Sequence, residues 1–85
     1  MTRPTIHDNG TPAKALAAAY EAAYDALQAA TEAMCRSAPN GRDYYPQSPE
    51  AYDQAAAEHR ARIARVVTVM SEFDTLIGYC EGAAS

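Results

Sequence analysis

A chain of 85 residues with 20 alanines, no tryptophan and a net charge of −4 has room for one small domain at most. Its acidity argues against general affinity for nucleic acid or an anionic membrane, and no uncharged apolar run approaches the ~20 residues of a membrane span. Alanine is the best helix former and offers little to a sheet, so the expected class is all-α.

Residues 1–11 are polar and interrupted by Pro4 and Gly10, and they read as a flexible N-terminal arm with Ile6 as its only apolar anchor. They lack the apolar core of a secretion signal, so a cytoplasmic location is expected. Helix 1 is expected over about 12–37. Thr11 can cap it, and Pro12 suits the first helical position. Its apolar seam is Leu16, Tyr20, Ala23, Leu27, Ala30 and Met34, spaced alternately four and three. Ala17, Ala19, Ala26 and Ala33 flank the seam and let another helix come close. Glu21, Asp25, Gln28 and Glu32 fall on the opposite face. Arg36 suits the last turn, and Pro39 with Asn40 and Gly41 should end the helix, Gly41 supplying a positive φ.

The connection, 38–48, is long for a helix–helix loop and sets Tyr44 and Tyr45 side by side next to Arg42. Helix 2 is expected over about 49–81, with Ser48 as cap, Pro49 at the first position and Gly82 as the terminating glycine. Residues 83–85 should fray. Its seam is the longest in the chain: Tyr52, Ala56, His59, Ile63, Val66, Met70, Phe73, Ile77 and Cys80, again spaced four and three.

Folding helix 1 back on helix 2 gives an antiparallel helical hairpin, a single domain over 12–82. Its six matched layers place Met34 opposite Tyr52, Leu27 opposite His59 and Leu16 opposite Met70. Phe73 then meets only Ala13, while Ile77 and Cys80 lack a helical partner. Val69, Phe73, Leu76 and Ile77 therefore form the expected interface of a homodimer, a four-helix bundle. The competing expectation is that the arm folds back and Ile6 covers Ile77. Cys35 and Cys80 lie at opposite ends of the hairpin and should both be free thiols.

No motif places the chain in a known family, and no catalytic, cofactor or metal constellation emerges. His59, the one polar seam residue, has no carboxylate or second histidine a turn away on its face, so it is expected to fix register. Three groups of residues are candidates for partner binding. Arg42, Tyr44 and Tyr45 combine side chains enriched at binding hot spots, against the plainer reading that the tyrosines close the end of the bundle. Glu21, Asp25 and Glu32 form an acidic ridge that could meet a basic protein, or simply a solvated face. Arg60, Arg62 and Arg65 could meet phosphate or an acidic surface, or pair locally, as Glu58 and Arg62 can at i,i+4. The expected function is a small protein-interaction module that occupies a partner protein's surface as regulator, adaptor or inhibitor. Its build fits accessory proteins of phages and mobile elements, a class-level expectation without a motif behind it. A nucleic-acid-associated regulator using the arginines and a structural subunit of a larger assembly are the alternatives. No enzymatic activity, cofactor or small-molecule substrate is expected.

Overall fold

The computed structural model describes residues 1–84, and among them every regular element is helical: α1 (Ala13–Arg36), α2 (Gly41–Tyr44) and α3 (Ala51–Ala84). α1 packs along α3, and α2 rests on α3. The long helices run antiparallel, because Met34, Thr31 and Tyr20 of α1 meet His59, Met70 and Phe73 of α3 in that order. None of the helices is long and apolar enough to cross a membrane among the described residues.

The helix ends differ in detail from those the sequence suggests. α1 starts at Ala13 with Pro12 in the capping position, and no side chain caps it, so Thr11 does not have that role. The first turn is closed by the Leu16 amide donating to the Pro12 carbonyl at 3.0 Å. At the other end the Ser37 amide donates to both Ala33 and Met34, and the Ser37 hydroxyl donates to the Met34 carbonyl at 2.8 Å. Gly41 has no positive φ, as no described residue does. Asn40 accepts from the Arg42 amide at 2.9 Å and so starts a new helical turn, with Gly41 as its first residue. The expected irregular loop thus contains α2. Gly82 does not stop α3 either, since the helix continues through it to Ala84. Of the expected frayed tail, Ala83 and Ala84 are helical, and Ser85 lies outside the described residues.

The seams face inward as their spacing requires. On α3, His59 and Cys80 are buried, and Ala56, Ile63, Val66, Met70, Phe73 and Ile77 are half-buried. On α1, Leu16, Tyr20, Ala23, Leu27 and Met34 are half-buried, while Ala30 is exposed. The register, however, is not the one the six matched layers suggest. His59 meets Met34 where Leu27 is expected, and Phe73 meets Tyr20 where Ala13 is expected, each a shift of seven residues along α1. Met70 meets Thr31, far along α1 from Leu16. A repeat of seven maps onto itself after such a slide, so apolar periodicity cannot distinguish the two pairings. The Tyr20 and Phe73 rings, with centroids 5.9 Å apart and tilted by 50°, now provide a specific contact.

The slide leaves the first two turns of α3 projecting past the end of α1, where α2 packs on them and Tyr52 stays exposed. At the opposite end it supplies partners to the half of α3 that the expected register leaves bare. Cys80 is 0 % exposed and faces the end where Ala13 and Ala17 are buried. The arm also folds back over this end. The Arg3 guanidinium lies 5.6 Å above the Tyr79 ring, and Pro4 and Ile6 are half-buried.

The result is a rod of 61 × 21 × 18 Å with very little interior: only Ala13, Ala17, His59 and Cys80 are buried among the described residues. Cys35 and Cys80 are free, one exposed and the other buried. Two outcomes follow. In the native chain a thiol reagent should modify Cys35 rapidly, and Cys80 only at the rate of unfolding. Quantitative labelling of both at equal rates in the folded state would contradict the packing at Ala13 and Ala17. Gly78 sits inside α3, and a Cβ built on it meets nothing within 4 Å. Gly78→Ala should therefore stabilise the chain by about 0.5–1 kcal/mol through helix propensity alone, measured as a raised urea midpoint with an unchanged slope.

Candidate functional site

His59 is the most constrained polar group in the chain. It is 8 % exposed, with Nε2 2.7 Å from the Met34 carbonyl and Nδ1 3.2 Å from Arg62 Nη1. A carbonyl can only accept and a guanidinium can only donate, which settles the tautomer. Nε2 carries the proton and donates to Met34, while Nδ1 accepts from Arg62. The Met34 carbonyl is in the last turn of α1, where the Ser37 amide and hydroxyl also donate to it, at 3.0 and 2.8 Å. His59 therefore ties α3 to the last turn of α1, with both ring nitrogens engaged within the chain.

This arrangement also breaks up the arginine cluster. Arg62 is directed at His59, whereas Arg60 and Arg65 are exposed and, at 100° per residue, point about 140° apart on α3. Arg62 and Arg65, three residues apart, share one side of α3, and Arg60 stands away from both. No group of three or more His, Cys, Asp or Glu side chains could hold a metal ion among the described residues.

The tyrosine pair is likewise divided. Tyr44 ends α2 half-buried, while Tyr45 follows it 72 % exposed, and Arg42 is exposed on the same short helix. One tyrosine serves packing at the end of the rod, and the other is available to solvent.

Helical phase divides the remaining surface of the α1–α3 pair into two flanks. On one, Val69 (39 % exposed) and half-buried Leu76 of α3 adjoin the side of α1 that carries Ala19, Ala23, Ala26 and Ala30. Phe73 and Ile77, expected with Val69 and Leu76 at a dimer interface, are half-buried, and Phe73 is occupied by Tyr20 within the chain. On the other flank an open groove of about 470 Å³ lies between the helices. Tyr24, Gln28, Thr31 and Glu32 line it from α1, and Val67, Met70, Ser71 and Asp74 line it from α3. Val67 is 48 % exposed there, and the Thr31 hydroxyl donates to the Leu27 carbonyl at 2.9 Å while lying 3.6 Å from Met70 Sδ. Of the acidic ridge, Glu32 stands on the groove's rim, and Glu21 and Asp25 continue the same exposed side of α1.

Of the groove lining, Glu32 is the residue that the sequence marks as a candidate for partner binding. A signal was present, since Tyr24, Gln28 and Thr31 on α1, and Val67, Ser71 and Asp74 on α3, repeat the four-and-three spacing one step beside each main seam. No family model matches the chain, and neither a curated protein nor a solved structure is significantly similar to it.

Removing the His59 tie should be costly. His59→Ala should destabilise the chain by about 1–3 kcal/mol in urea unfolding, the range for a lost buried hydrogen-bond partner. His59→Gln, whose amide can donate to the same carbonyl, should lose less. Equal losses in the two variants would show that ring packing, not the bond to Met34, is what matters.

Proposed function

We propose that the chain is a non-enzymatic protein-interaction module, acting as regulator, adaptor or inhibitor by laying uncovered helical surface against a partner protein. One observation carries the reading. The chain exposes 5987 Å², against about 4,900 Å² expected for a compact monomer of its mass. The excess, roughly 1,100 Å², exceeds the ~800 Å² that each partner contributes to a standard interface. A protein with four buried residues among those described gains much from covering such surface. The finer proposal is that one flank is covered by a second copy, giving a four-helix bundle. Val69 and Leu76 provide its apolar contact, and the alanines of α1 allow close approach. A cytoplasmic setting belongs with this reading and is supported by the two free thiols. The arginines give less support to a nucleic-acid role, because Arg60 stands away from the other two on α3 and Arg62 is directed at His59.

Sedimentation equilibrium tests the self-association. The wild-type chain should dimerise at micromolar concentration, and Leu76→Glu or Val69→Glu should give monomer, since each buries an unpaired charge in the interface. The wider reading is tested by affinity capture from host extract, with and without nuclease. The same retained protein in both arms supports it, whereas retention of nucleic acid alone would replace it with the nucleic-acid reading.

A further inference from the structure

We propose that the groove between α1 and α3 is the docking site for a basic amphipathic helix of a different protein, held by an apolar floor and acidic rims. The proposal rests on the reading of the chain as an interaction module and names the chemistry of its partner. The geometry defines the length of the occupant. The α1 wall runs from Tyr24 to Glu32 and the α3 wall from Val67 to Asp74, so each spans about two helical turns, roughly 10–12 Å. A third helix lying in this furrow would present two or three apolar side chains at i, i+3 or i+4, and i+7 to Val67, Met70 and Tyr24.

Charge selects the occupant's flanks. Both ionisable carboxylates of the lining, Glu32 and Asp74, are exposed, one on each helix, and no lining residue is cationic. Asp25 and Glu21 extend the acidic rim along α1 at helical spacing. Lysine or arginine on both flanks of the incoming helix would meet these rims. The same charges disfavour a second copy in this place, because a symmetric pairing through the groove would set Glu32 and Asp74 of one chain against those of the other. The copy and the basic helix thus take opposite flanks.

The test uses fluorescence anisotropy with labelled synthetic helices of about 18 residues, long enough to hold helical structure. One carries a leucine stripe flanked by lysines, and the other carries the same stripe flanked by glutamates. The lysine helix should bind the full chain, and the glutamate helix should not. Glu32→Lys combined with Asp74→Lys should weaken binding by roughly tenfold or more, and Val67→Ser should weaken it without altering the salt dependence. The control pair Glu50→Lys with Glu58→Lys changes net charge equally but lies off the groove, and it should bind within about twofold of wild type. Equal loss in the two pairs would mean attraction to overall charge and would overturn the site. Equal binding of the two helices, or no binding of either, would overturn it as well. So would self-association that is abolished by Val67→Ser, which would make a second copy the occupant. A host protein captured equally well by wild type and by the Glu32→Lys, Asp74→Lys variant would remove the groove while leaving the interaction-module reading in place.

Discussion

The hydrogen bond from His59 to the Met34 carbonyl is the constraint on which the rest of the structure depends. Two helices with seven-residue apolar repeats can slide past each other by a heptad and still match apolar layer to apolar layer. What changes on sliding is the fate of the one polar seam residue. Opposite Leu27, within the body of α1, the ring N–H would face carbonyls already committed to the helix. An unsatisfied buried donor costs about 1–3 kcal/mol, a large fraction of what so small a domain can have. Opposite the last turn of α1 it finds the Met34 carbonyl, which the amide four residues on, that of Ala38, leaves for Cys35, so that the ring N–H shares it with Ser37 alone. A single buried polar group setting alignment is a known device in helical assemblies, and here it operates within one chain.

That register divides the labour of the surface. Sliding α3 toward the end of α1 brings Cys80 to the turn that carries Ala13 and Ala17, and lets Tyr20 reach Phe73. It also moves the uncovered surface from the tip of α3 to the two flanks. One flank is small and apolar, suited to close helix packing. The other is a furrow with carboxylates on both rims. The differing chemistry of the flanks gives a two-helix protein two unlike surfaces without a further domain.

Much of this was legible in the residues. The four-and-three spacing from Ala56 to Cys80 and from Leu16 to Met34 identifies the inward faces of both long helices, with Tyr52 and Ala30 as the departures. The alignment was not legible from periodicity, because a heptad slide is invisible to it. It could have been found by asking which acceptor a seam histidine can reach. The termini were misread where local signals competed. Asn40 can end a helix or cap a new one, and its bond to the Arg42 amide decides for the second. Gly82 is a common stop signal, yet α3 runs through it. Among the candidate site residues, Glu32 lies at the groove, while helical phase sets Arg60 apart from Arg62 and Arg65 and the histidine contact engages Arg62.

The elongation of the rod affects how the molecule moves through solution. Its radius of gyration is 18.6 Å, where a compact chain of this length would have about 12 Å. A body about three times longer than wide experiences more friction than a sphere of equal mass and tumbles faster about its long axis than end over end. On a sizing column a single copy would elute ahead of globular proteins of 9.1 kDa, in the range of a compact dimer. Backbone amides along α3, most of them nearly parallel to the long axis, would relax as if they belonged to a heavier protein. The shape of this hairpin therefore mimics oligomerisation in any measurement that reads hydrodynamic size rather than mass.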